Sequence, residues 1–349
     1  ACQLEDGESC EFGFEYTLLL TKNAAFLGVG DTDWRLSGFY PEALKWEDGD
    51  FVAPRPLQHA RYVFADRADY AFSITLPDRY TLAAPGEAVA TPNGDGTTTW
   101  SVAAPGVREL AVSFGMRWRE LAGETALGTR VRVLSNLRSG APKALKAALG
   151  ALNTYEKWFG ALGGTVTVAQ SDHAAGLLAL PGVLWLPAEL FSDEMALRRG
   201  LAKQFFGYGA YFMPTEDAWM SDALSEYLAY LALEDKEGHG AFLKELNRAL
   251  VPSVQYTVPG GLEVTSDASL FTEAEYDTIV RRRGGLVFHE LRSAMGLEAM
   301  LEGLHIFYEK GLASDVLGEY DLVDALDRAS GGSWEAFLTD WLFNIDQYQ

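Results

Sequence analysis

Large apolar and small or polar residues alternate through much of the first 135 residues. Tyr70-Ala71-Phe72-Ser73-Ile74-Thr75-Leu76 places a large side chain at every second position. That is the period of a half-buried strand. Leu110, Val112, Phe114 and Met116 repeat it, as do Val131 and Val133. Pro92-Asn93-Gly94-Asp95-Gly96 is turn chemistry between strand-like runs at 81–89 and 97–102. Short strands at this spacing predict an N-terminal antiparallel sheet domain, a sandwich or a barrel.

After Arg138-Ser139-Gly140-Ala141-Pro142 the period changes. Leu145, Ala148, Leu149, Leu152, Tyr155 and Phe159 fall on one helical face. Two strands follow, at 165–169 and 183–186. From Ser192 onward helical periodicity dominates, at 192–207, 218–234, 239–250, 273–295, 297–310, 321–329 and 333–344. Gly296 and Gly311 stand where helix C-caps are expected. The reading is α+β, with a β-domain at 1–138 and a helical domain with a small sheet at 139–349.

Composition narrows the function. The 349 residues carry a formal charge of −21, which disfavours nucleic acid and anionic membrane surfaces as partners. No apolar run is long enough for a transmembrane segment. The two cysteines, Cys2 and Cys10, exclude a disulfide scaffold and a cysteine-rich metal site. The chain begins Ala1-Cys2 without Met, like a processed N-terminus. Lipid attachment at Cys2, a disulfide to Cys10 and free thiols are the three alternatives, and the expected location is extracytoplasmic.

Ordinary catalytic signatures are missing. None of the five histidines is spaced i, i+4 from another. His289-Glu290-Leu291-Arg292-Ser293 opens like a zinc-binding helix, but Ser293 stands where the second ligand is needed. There is no Gly-x-Ser-x-Gly elbow and no Walker loop, and Gly28-Val29-Gly30 is too short for a dinucleotide site.

One segment carries a resemblance. Arg199-Gly200-Leu201-Ala202-Lys203-Gln204-Phe205-Phe206-Gly207 resembles the zinc helix of aminopeptidase N-type gluzincins, which reads His-Glu-Leu-Ala-His-Gln-Trp-Phe-Gly. After 18 intervening residues Lys203 is followed by Asp222, within Trp219-Met220-Ser221-Asp222-Ala223, where that family has Trp-Leu-Asn-Glu-Gly. Gly38-Phe39-Tyr40-Pro41 with Trp46, and Ile74 to Tyr80 with Ala84-Pro85-Gly86-Glu87, resemble landmarks of the family's β-domain. Gly176 to Gly182 resembles its edge-strand loop, Ile279 to Gly284 its tyrosine segment, and Leu322 to Leu342 the end of its peptidase domain.

The resemblance implies a thermolysin-like helical domain, but with an altered site. Arg199 and Lys203 stand at the two histidine positions, Asp222 at the third ligand and Gly200 at the catalytic glutamate. Ala179 replaces the glutamate that anchors a substrate amine, and Arg281 replaces the transition-state tyrosine. Cations repel zinc, so no zinc cofactor is expected, and no polarised carbonyl or activated water follows from it. Arg199 and Lys203 share a helix face, and Asp222 and Glu226 should approach it from the next helix. Two acids against Arg199, Lys203 and Arg281 leave one cation over, which points to a bound anion. The function read here is a non-catalytic, peptidase-like protein. Its partner is a peptide or small carboxylate in the former cleft, or another protein docked on the scaffold. The alternative is a peptidase or other hydrolase with a relocated site.

Overall fold

A computed structural model describes residues 7–43, 45–47, 50–52, 65–173, 175–213, 215, 217–256, 261–314 and 316–343. The alternating segments form two sheets that share one apolar core. One has the order Thr21–Lys22, Leu27–Val29, Asp33–Leu36, Val112–Met116, Tyr80–Ala83. The other is Ala68–Pro77, Thr97–Val107, Glu87–Pro92. Leu36, Leu82, Val112 and Phe114 from the first meet Leu76, Val102 and Ala104 from the second. The turn at 93–96 closes a hairpin in which Pro92 pairs with Thr98. The run expected as one strand at 81–89 is two strands in two sheets. Pro85 cannot donate a ladder hydrogen bond, and Gly86 takes φ +68° with a Cβ position only 2.2 Å from Ala103 O, so the chain turns there.

A second five-stranded sheet has the order Arg119–Glu124, Arg130–Ser135, Thr165–Gln170, Val183–Leu186, Leu178–Leu180. Its three central strands run parallel, and Leu178–Leu180 returns antiparallel as an edge. Residue 138 lies between its second and third strands in the chain. Helix α1 (Gly140–Phe159) covers this sheet with Ala144, Ala148, Leu152 and Tyr155. The seam between the two parts is apolar at Ala83, Trp118, Leu134, Val183 and Trp185. It is ionic beside them. Arg35, fully buried, donates to Asp33 at 2.7 and 2.8 Å and to Asp172 O at 2.9 Å, while Ser171 Oγ donates to Asp33 at 2.7 Å.

Helices make up the rest, giving an α+β chain that is sheet-rich first and helical afterwards. The segment at 273–295 is continuous but changes winding: Tyr276–Arg283 is π-helical before Gly284–Met295 resumes α geometry. Gly296 ends that helix at φ +86°. Gly311 is not a cap. It lies inside Leu297–Ala313, where a Cβ would sit 2.6 Å from the Ala210 Cβ, so its smallness serves close packing. No described helix is long and apolar enough to cross a membrane. Cys10 is disulfide-bonded, which excludes a free thiol there; Cys2, for which lipid attachment is one alternative, lies outside the described residues.

Candidate functional site

Two helices frame the site. In α2 (Glu194–Phe205) the Asp193 side chain accepts from Ala196 N at 3.0 Å and caps the first turn. Leu197, Leu201 and Phe205 are buried in the core. Arg199 and Lys203, one turn apart, therefore face the opposite way, toward α3 (Ala218–Glu237). There Lys203 Nζ donates to Asp222 Oδ1 at 2.5 Å, and Arg199 Nε pairs with Glu226 Oε2 at 2.8 Å. Glu226 is only 6% exposed, and the Arg199 guanidinium is the opposite charge set against it.

The π-helical segment supplies the third wall. Tyr276 donates its hydroxyl to Asp222 Oδ2 at 2.5 Å. Arg281 Nε stands 3.5 Å from Glu226 Oε2, and Arg281 Nη2 contacts Asp277. Arg282 Nη2 also pairs with Asp277, at 2.7 Å. This corrects the expected surplus of one cation. Asp277, four residues before Arg281, is the third carboxylate, so Arg199, Lys203 and Arg281 each have an acidic partner. π windings are frequent at functional sites, because they shift side chains off the regular helical faces.

Two cavities open beside the Lys203–Asp222 pair. One of about 620 Å³ is lined by Lys203, Asp222, Tyr276, Asp277, Arg281 and the edge strand. The other, of about 450 Å³, adds Arg199, Gly200 and Asp193. Ala179, Glu273 and Arg281 line both. Ala179 presents no side chain that could hold an amine, and its carbonyl accepts from Tyr208 Oη at 2.5 Å. Gln204 ties the edge strand to α2, accepting from Gly182 N at 2.8 Å and donating to Leu180 O at 3.2 Å. Gly200 lets the sheet lie close to α2, for a Cβ there would approach Leu184 Cδ2, on the strand beside the edge, to 2.7 Å and Leu177 Cδ2, just before the edge strand, to 2.9 Å.

The electrostatics follow from this packing. Burial pushes the Asp222 carboxyl upward, but the Lys203 ammonium and the Tyr276 hydroxyl outweigh it, so its pKa lies below the ordinary value. Burial and the Asp222 charge push the Tyr276 hydroxyl well up, keeping it neutral. Burial and the neighbouring Arg199 lower Arg281. Asp222 is thus a carboxylate already engaged by two donors, and Tyr276 is a hydrogen-bond donor. Neither is set to exchange a proton near neutral pH. Among the described residues no three His, Cys, Asp or Glu side chains are grouped to hold a metal ion. His289 sits elsewhere, with its Nδ1 3.2 Å from Tyr227 Oη.

The six positions Ala179, Arg199, Gly200, Lys203, Asp222 and Arg281 all line the smaller cavity; Glu226 does not line it but pairs with Arg199 and stands near Arg281. Sequence reasoning missed Tyr276, Asp277, Glu273 and Tyr208. A signal existed for the first three. Thr272 with Glu275 forms a capping box that marks a helix start, and Asp277 then falls i−4 from Arg281.

No family model matches the chain. Over 258 residues it is 26% identical to an aminopeptidase N of Lactococcus lactis subsp. lactis, covering 67% of this chain and 30% of that protein. Over 253 residues it is 24% identical to an aminopeptidase M1-A of Oryza sativa subsp. japonica, covering 66% of this chain and 29% of that protein. The chain thus spans less than a third of the length of either relative. These similarities support an aminopeptidase N-like family for it.

Proposed function

We propose that this is a non-catalytic, peptidase-like protein whose cleft has exchanged a metal site for ion pairs and binds a peptide or small acid. The observation that carries the reading is the Lys203–Asp222 bridge at 2.5 Å, with Arg199 on Glu226 one turn away. In the resemblance, Arg199, Lys203 and Asp222 are the zinc-ligand positions. Zinc requires neutral imidazoles or anionic ligands, and two cations with one engaged carboxylate do not fit it. Leu184 and Leu177 crowd the place at Gly200 where a general base would stand. Ala179 and Arg281 offer neither an amine anchor nor a neutral hydroxyl. On this reading the edge strand, α2 and α3 form a thermolysin-like unit, and the protein works outside the cytoplasm.

The test is elemental analysis of the purified chain together with hydrolysis of aminoacyl chromogenic substrates. The expected outcome is no stoichiometric zinc and no cleavage. Near one zinc per chain with chelator-sensitive hydrolysis would overturn the reading, and chelator-insensitive hydrolysis would favour a relocated site.

A further inference from the structure

The smaller cavity is lined by three cations, Arg199, Lys203 and Arg281, and three carboxylates, Asp193, Asp222 and Glu273. Most of these are engaged with each other or with backbone. Lys203 and Asp222 hold one another, Arg281 is on Asp277, and Asp193 caps α2. Two groups are left with hydrogen-bonding capacity. The Arg199 atom nearest Glu226 is Nε, and its terminal nitrogens make no hydrogen bond among the described residues. Glu273 has no ion pair or side-chain hydrogen bond among them, and it lines both cavities. One cavity wall therefore offers a guanidinium fork and another an uncommitted carboxylate.

The charge balance decides what suits such a cleft. The chain carries −21, so a ligand of net negative charge is repelled at long range. A zwitterion has no net charge to repel, and inside the cavity each of its ends meets an opposite charge. A volume of about 450 Å³ lies within the range of sites for small molecules. Resting on the reading of the cleft as a binding site, we propose that it takes a short zwitterion, a free amino acid or a di- or tripeptide with both ends unblocked. The carboxylate is gripped by the terminal nitrogens of Arg199 in the two-pronged manner guanidinium favours, and the ammonium is held by Glu273.

The test is calorimetric titration with Ala, Ala-Ala and Ala-Ala-Ala, and with the N-acetyl and C-terminal amide forms of the peptides. At least one unblocked form should bind saturably. Blocking either end should weaken it about tenfold or more, the loss of one charge-assisted contact. In Glu273→Gln the N-acetyl penalty should vanish while the amide penalty remains. Arg199→Gln should show the reverse. Arg199 supports the buried Glu226, so Glu273→Gln, at an exposed position, and the blocked ligands carry the test if that variant unfolds. Binding by none of the unblocked forms, equal binding of blocked and unblocked forms, or an N-acetyl penalty unchanged in Glu273→Gln would overturn the proposal. Chromatography of the peptides after titration separates the two readings. Cleaved Ala-Ala-Ala would overturn the non-catalytic function, while the uncleavable free amino acid would still judge the recognition of the two ends.

Discussion

Replacing Asp222 by alanine removes the acceptor of two donors at once, Lys203 Nζ and Tyr276 Oη. The side chains of the ion pair are 25% and 18% exposed, so it lies between two regimes. Surface pairs contribute up to about 1 kcal/mol. Stranding one partner of a buried pair costs about 3–5 kcal/mol. Partial exposure places the ionic loss near 2 kcal/mol, between those limits. The Tyr276 hydroxyl, buried and left without this acceptor, adds about 1 kcal/mol, for an expected total of about 3 kcal/mol. Urea unfolding at pH 7 measures it, followed by tryptophan fluorescence and far-ultraviolet dichroism so that coincident transitions license a free energy. The pH dependence gives a second readout. A carboxyl whose pKa is depressed in the folded state stabilises the fold above its unfolded value of about 3.9 and loses that contribution as pH falls through the folded value. The gap between parent and Asp222→Ala should hold steady from pH 7 to about pH 5 and close below about pH 4. A variant as stable as the parent at pH 7, or a gap unchanged in acid, would refute the reasoning.

Asp33→Ala should cost about 3–5 kcal/mol, because it leaves the fully buried Arg35 without its carboxylate and removes the acceptor of Ser171 Oγ; equilibrium unfolding checks this. A loss below 1 kcal/mol would mean that the seam tolerates an unpaired guanidinium. Gly200→Glu should destabilise by about 1–3 kcal/mol through overpacking against Leu184 and Leu177. Gly200→Ala should lie nearer the parent, since relief of the glycine penalty in a helix offsets part of the clash. Equal melting temperatures for Gly200→Glu and the parent would count against the close packing of the sheet on α2.

The sequence carried the elements better than their assembly. Period-two alternation located Ala68–Pro77 and Val112–Met116, and the 3.6 period located α1, because large side chains recur at one face of each, even though Val112–Met116 is buried on both. It did not show that Arg119–Glu124 and Arg130–Ser135 leave the first two sheets, the latter to pair with Thr165–Gln170, since strand partners are set by long-range packing. The site was legible where helical spacing sufficed: Arg199 with Lys203, then Asp222 with Glu226. The contribution of Asp277 and Tyr276 was hidden by the π winding, because a face drawn at 100° per residue misplaces side chains across it. The Asp33–Arg35–Ser171 cluster left no trace in sequence either. Asp33 and Arg35 are two residues apart, but nothing in their spacing marks them as buried, and Ser171 lies 138 residues beyond Asp33.

The charged residues of the cleft are physically coupled, which bears on how single substitutions would act. Arg199 and Arg281 share one oxygen of Glu226, Lys203 and Tyr276 share the two oxygens of Asp222, and Asp277 joins Arg281 to Arg282. Exchanging Lys203 for a neutral imidazole strands the charge of Asp222 on Tyr276 alone. Exchanging Arg199 leaves Glu226, 6% exposed, with only the more distant Arg281 at 3.5 Å. Placing a carboxylate at position 200 requires Leu184 and Leu177 to withdraw and so loosens the edge strand held by Gln204. Residues in one hydrogen-bonded and ionic network do not contribute additively. Each of these single exchanges therefore removes an existing ion pair or packing contact, so their effects on stability together should differ from the sum of separate pair energies.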